Sequence, residues 1–148
     1  MKLTKRVLYK RAKPAEFLYP EQNRLLAQDL RRFMINENGI GLAAPQIGVS
    51  RRVFVMAIQG WQRACFNPVI MMTSVESVDF DEGCLSFPGE HCIIKRPEWV
   101  DVRYQDHRGH WHAERFSGLL ARCFQHELDH LDGITMWERH KEQHAEQS

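Results

Sequence analysis

The sequence lacks any apolar run approaching the ~18 residues of a membrane-spanning helix. Its basic N-terminus, MKLTKRVLYKRAK, lacks an apolar core of signal-peptide length. Neither a membrane nor an export route is indicated, and a reducing, cytoplasmic setting is expected. The four cysteines, Cys65, Cys84, Cys92 and Cys123, then read as free thiols or metal ligands rather than disulfides. Charge of one sign is missing too: Lys plus Arg total 20 against Asp plus Glu 19, so no whole-chain field draws DNA or an anionic membrane. There is no internal repeat, low-complexity tract or Pro/Gly/Ser linker, so one domain spanning residues 1–148 is expected. The hydrophobic fraction of 43% and charged fraction of 26% exclude a disordered, collagen-like or coiled-coil chain.

What is present reads as two helices bracketing strands. Pro20 to Asn38 is a predicted helix, with Leu25, Leu26, Leu30, Phe33 and Met34 facing the core and Gly39 as its stop. Arg52–Ile58 and Val69–Thr73 are short apolar runs rich in branched residues, separated by Gly60 and Asn67-Pro68, and read as strands. Alternation from Trp99 to Phe116 around Asp106–Gly109 predicts a hairpin. A second helix starts near Ser117. The rhythm is not βαβ, so the class is α+β with mostly antiparallel sheets.

That second helix carries Gln125-His126-Glu127-Leu128-Asp129-His130, an H-E-x-x-H pattern. At about 100° per residue, His126 and His130 lie one turn apart on nearly one face, so both imidazoles can reach one metal ion. Glu127 falls among Leu120, Cys123, Phe124, Leu128 and Leu131, where a carboxylate is costly unless something polar meets it. Arg122, Gln125, Asp129 and Asp132 gather on the opposite side. The bland alternative is an amphipathic helix bearing two histidines by chance.

A third ligand is needed. The pattern H-E-x-x-H-x-x-G-x-x-H fails because Met136 stands where the last His belongs. A downstream Glu must come from Glu138, Glu142 or Glu146 within the 18 residues from Leu131 to Ser148, too short for a supporting helical unit. Upstream, Asp81-Glu82-Gly83-Cys84-Leu85-Ser86 offers Cys84, which would complete a Cys-His-His site.

Three segments together resemble the peptide deformylases: Gly39-Ile40-Gly41-Leu42-Ala43-Ala44-Pro45-Gln46, Glu82-Gly83-Cys84-Leu85-Ser86, and Gln125-His126-Glu127-Leu128-Asp129-His130. They occur in the family's order, within a likeness running from about Val7 to Met136. The resemblance implies a metal-dependent hydrolase removing the N-formyl group from the initiator methionine of new polypeptides. It implies Cys84, His126 and His130 as metal ligands and Glu127 as proton shuttle. Gln46 and the Leu85 backbone N–H become the oxyanion donors. Substrate contacts fall to Gly39, Ile40, Gly41, Phe80, Glu82, Gly83, Leu119 and Cys123. The implied native ion is Fe²⁺, with Zn²⁺, Ni²⁺ or Co²⁺ also compatible with one thiolate and two imidazoles.

Other features read as structural. His107, His110 and His112 belong to a solvated hairpin tip, and Cys65 and Cys92 to buried strands. Arg122 is expected to pack its stem and send its guanidinium to water. At His91 many relatives carry Arg, so contacts beyond the methionine differ. The first 13 residues hold six basic side chains (Lys2, Lys5, Arg6, Lys10, Arg11, Lys13), read as a solvated face. The resemblance begins so early that no cleaved targeting segment is expected. Leu131 to Ser148 contains two Lys/Arg and four Asp/Glu, so any ribosome contact is expected to be transient rather than docked through a basic tail. A monomer acting on N-formylmethionyl peptides is expected. The rival readings are a general H-E-x-x-H peptidase and a noncatalytic metal-bound binding module.

Overall fold

The computed structural model describes residues 2–5 and 7–145; Arg6 and Glu146, named above, lie outside them. The elements run α1 (Pro20–Asn36), β1 (Gly41–Ala43), a 3-10 turn (Ala44–Ile47), β2 (Val53–Ile58), β3 (Trp61–Thr73), β4 (Ser77–Cys84), β5 (Phe87–Pro97), β6 (Trp99–Gln105), β7 (Trp111–Ser117), α2 (Gly118–Leu131) and α3 (Met136–Gln143). All strand pairs are antiparallel: five strands form one sheet in the order β1-β2-β3-β6-β7, and β4 with β5 forms a separate ribbon. The class is α+β, as expected.

α1 begins on Pro20, whose missing N–H costs nothing in a first turn. Its stop is Asn38, not Gly39: Asn38 takes φ +59°, and the Gly39 N–H reaches back to the Met34 carbonyl at 2.9 Å. Ala27, Leu30 and Met34 are buried, whereas Leu25, expected on the same stripe, is exposed.

β2 and β3 form one hairpin turning on Gln59 and Gly60, both at positive φ as a tight two-residue turn requires. Val69–Thr73 is therefore the far half of β3 and not a separate strand. The strand continues past Pro68 because the register shifts between Phe66 and Val69, leaving a place for a residue without an N–H. Asn67, at φ +50°, holds this bulge by exchanging two hydrogen bonds with the Ala15 backbone, 2.8 and 3.1 Å.

The unbroken apolar run of β2 has a simple cause: both its faces are covered. Val53 and Val55 pack with Leu30, Met34 and Phe66 beneath α1. Phe54 and Met56 pack with Phe116, Phe124 and Leu131 beneath α2, and the Phe54 and Phe124 rings meet edge to face at 5.1 Å.

α2 was expected to show a polar side to water. Instead Arg122, Gln125 and Asp129 are buried, because the ribbon closes over that side and supplies partners for each. The tail also builds a helix where none was expected. Thr135 caps α3 by accepting from the Glu138 N–H, and its hydroxyl donates to Glu138 Oε1 at 3.1 Å. His140 and Gln143 then tie α3 to the β5 backbone.

Candidate active site

A cavity of about 480 Å³ opens between two strand edges. β1 ends the five-stranded sheet and β4 pairs with β5 alone, so each has one edge without a partner strand among the described residues. Gly39, Ile40 and Gly41 line one wall, the stretch from Phe80 to Leu85 the other, and Leu119, Cys123, His126 and Glu127 of α2 the floor.

Cys84, His126 and His130 converge there, one ligand atom from each lying within 4.8 Å of the others. The helix repeat brings the two imidazoles together, with ring centroids 4.9 Å apart. A bulge between Gly83 and Cys84 ends β4 with the cysteine Sγ 3.3 Å from His130 Nε2. Burial pulls the His126 pKa down, but bonds to Cys84 and Glu82 outweigh it and raise it to about 10. For His130, burial and the neighbouring His126 both push the pKa well below its ordinary value, favouring the neutral ring. The donor set fits a divalent ion such as iron or zinc: one sulfur and two imidazoles, with the His130 Nδ1 and Glu127 Oε1 atoms buried and unpartnered beside it.

Glu127 is 4% exposed. Burial, reinforced by the charge of Glu82 and opposed by that of His126, pushes its carboxyl up to about 7. A carboxyl in that range takes up and returns protons near neutral pH.

Gln46 occupies the 3-10 turn, yet its side chain is buried rather than solvated. Its Oε1 accepts from the Ala43 N–H at 2.9 Å, which turns the amide so that Nε2 donates to Ser86 Oγ at 3.0 Å and faces Cys84 Sγ at 3.6 Å. A donor is thus held, already oriented, beside the cysteine. Leu85 sits in the β4–β5 turn against Gly39, where an added Cβ would come within 2.7 Å of its Cδ1.

Residues 1–146 match the polypeptide deformylase family. The chain belongs to that family. It is 43% identical over 135 residues to a peptide deformylase of Thermotoga neapolitana, covering 91% of this chain and 82% of that one. It superposes on the crystal structure of a peptide deformylase from Thermotoga maritima with a TM-score of 0.88 at 38% identity, covering 94% of this chain and 97% of that one. A class I type b peptide deformylase from Acinetobacter baumannii, solved with Met-Ala-Ser bound, gives a TM-score of 0.86 at 34% identity, covering 93% and 94%. Like other deformylases, the protein is a hydrolase that removes the N-formyl group from nascent polypeptides.

Within this deformylase framework the cavity gathers every candidate metal, catalytic and substrate residue named from the sequence except His130, whose ring lies against that of His126. Ile40, Phe80 and Leu119 remain about half exposed on its walls. Two side chains are fully engaged. Glu82 lines the cavity, but both its oxygens are consumed: Arg96 forks onto them at 2.6 and 2.9 Å, Arg122 adds a bond at 2.6 Å, and His126 Nδ1 lies at 2.8 Å. Its side chain therefore holds the histidine, and any contact it makes with a substrate is left to its backbone. Arg122 does not reach water; its guanidinium ends on Glu82 and on the carbonyls of Ile94 and Val78. Sequence reasoning did not single out Ser86 or Arg96, and it left Asp129 among the solvent-facing groups. For Asp129 the adjacency to His130 was a signal; for Arg96 there was none. His107, His110 and His112 stay at the hairpin tip, where Asp106 Oδ2 lies 2.9 Å from His112 Nε2.

Proposed function

We propose that deformylation takes place in this cavity around one divalent ion held by Cys84, His126 and His130, natively Fe²⁺. The observation that carries the reading is Glu127: a buried carboxylate with an unpartnered oxygen, lining the cavity into which Cys84 and His126 also project. When bound, the ion would supply Lewis-acid chemistry, polarising the formyl carbonyl and making water more acidic.

The chain's own residues do the rest. An extended formylmethionyl peptide lies between the free edges of β1 and β4 as an added strand. Its methionine side chain enters the apolar space bounded by Ile40, Phe80, Leu119 and Cys123, with Gly39, Gly41 and Gly83 leaving room for its backbone. The Met-Ala-Ser peptide held by the Acinetobacter relative is consistent with such a substrate. Glu127 removes a proton from water as oxygen bonds to the formyl carbon. The oxygen that becomes negative meets the Gln46 Nε2 donor and the Leu85 N–H. As the C–N bond breaks, Glu127 returns the proton to the departing nitrogen, leaving formate and a free amino terminus.

One catalytic domain over residues 1–148, monomeric and cytoplasmic, with at most transient ribosome contact, completes the proposal. No helix among the described residues is long and apolar enough to cross a membrane.

The deciding experiment measures formate release from formyl-Met-Ala-Ser by protein prepared without oxygen, with metal content determined on the same sample. Expected are one ion per chain, iron-loaded turnover that decays in air, and loss of both ion and turnover in Cys84→Ala. Cleavage of internal peptide bonds without formate release, or a Cys84→Ala protein that retains its ion, would overturn the reading.

A further inference from the structure

A chain of charged contacts leaves the cavity and ends on the C-terminal helix. His126 Nδ1 meets Glu82 at 2.8 Å, Arg96 forks onto Glu82, and Arg96 Nη1 reaches Asp129 Oδ2 at 2.9 Å. Asp129 is closed from the far side by Arg139 of α3, through Nη2 to Oδ1 at 2.7 Å and Nε to Oδ2 at 3.2 Å. The side chains of Glu82, Arg96 and Asp129 are 4, 5 and 11% exposed, and that of Arg139 is 27%.

As far as Asp129 the path begins and returns on α2, before Arg139 carries it to α3. Asp129 lies one turn beyond His126 and immediately precedes His130, whose own Nδ1 has no partner. The Asp129 carboxylate therefore bears on the His126 imidazole through Arg96 and Glu82. We infer that Arg139, outside the cavity and touching neither histidine, is a positioning residue for His126, acting through Asp129. The inference rests on the metal-centre reading above.

Removing Arg139 leaves Asp129 still paired with Arg96, so no buried charge is orphaned and the fold survives. What is lost is one side of a clamp, after which the Asp129 carboxylate, and Arg96 with it, can turn. Partners that orient metal-binding histidines typically contribute 10–100-fold in affinity or activity, so a residue one contact further out should contribute about tenfold.

The test uses the full chain loaded with Co²⁺, reading visible absorption and the rate of Co²⁺ loss to a chelator. Arg139→Ala should release Co²⁺ about tenfold faster than wild type, with altered absorption. Arg139→Lys, which keeps one cationic donor, should fall between the two. Glu142→Ala removes the other partner of Arg139, at 3.4 Å, and should leave both readouts unchanged. Wild-type release and absorption in Arg139→Ala would show that the network serves folding alone and overturn the inference. If that variant does not fold, Arg139→Lys decides, and a wild-type release rate there overturns it equally. Tight Co²⁺ binding in a parallel Cys84→Ala sample would instead sink the metal-centre reading beneath it.

Discussion

Gly41 and Glu127 fit together only because Gly41 has no side chain. A Cβ there would lie 2.5 Å from Glu127 Oε2 and 2.8 Å from Cys123 Sγ, so the strand edge rests directly on the buried carboxylate. Room for an approaching peptide explains this glycine only in part; the other part is room for the proton carrier. Gly41→Ala must push the carboxylate aside or move β1, at an overpacking cost of about 1–3 kcal/mol. The expected outcome is a lower melting temperature and at least about tenfold lower kcat, the upper end being set by the contribution of a proton shuttle. Metal content should be unchanged. Wild-type kcat in a folded Gly41→Ala protein would mean that the carboxylate position is not critical.

Glu127→Gln keeps the shape of the side chain and the three candidate ligands, and removes the group that accepts protons. Metal content should stay at wild-type level while kcat falls about 10²–10⁴-fold. An uncharged amide also relieves the cost of burying a carboxylate, so thermal stability should hold or rise. Near-normal turnover in a metal-replete sample would remove Glu127 from the mechanism.

Gln46→Leu tests the donor that the Ala43 N–H aims. Its Nε2 is placed for an oxygen that becomes an anion, so the loss should fall on kcat, by about 10²–10³-fold, with KM little changed. The bond from the Ala43 N–H disappears with it, and a modest loss of stability should follow. A rise in KM alone would make Gln46 a binding residue and leave the oxyanion without this donor.

Much of the site was legible because its spacing is local. The step from His126 to His130 is a property of any helix, and a glutamate among leucine, cysteine and phenylalanine signals a buried charge. The failures around α2 share one cause, the β4–β5 ribbon. Val78 and Phe80 alternate with Ser77, Asp79 and Asp81 along β4, but both apolar residues are exposed and the one buried position falls on Glu82, so the alternation does not reveal which face is covered. Without the ribbon, the polar side of α2 looks like a solvent face; with it, Arg122 and Asp129 become interior groups. The engagement of the Glu82 side chain was hidden for the same reason, since its partners Arg96 and His126 are 14 and 44 residues away. Likewise Asn67-Pro68 looks like a break until Ala15, 52 residues distant, supplies the bulge with its hydrogen bonds.

The hub at Glu82 also has a consequence for acid stability. Burial alone would raise its pKa, but the bonds from His126 and Arg96, with the charges of both, outweigh this and lower it from 4.5 to about 2. A carboxylate depressed in the folded state contributes stability that is fully present above its unfolded value and is lost as pH falls through its folded value. The window therefore runs from about 4.5 down to about 2. In chelator-treated protein, where metal release cannot contribute, the urea midpoint of wild type should fall across that window. Glu82→Gln leaves Arg96 and Arg122 short of a charged acceptor, so it should be less stable at neutral pH, and its midpoint should decline less steeply on acidification. The two curves should converge near the bottom of the window, where the wild-type carboxyl is itself protonated. Parallel curves over the whole range would show that Glu82 carries no proton-linked stability and that its contacts with Arg96 and His126 do not hold it ionised.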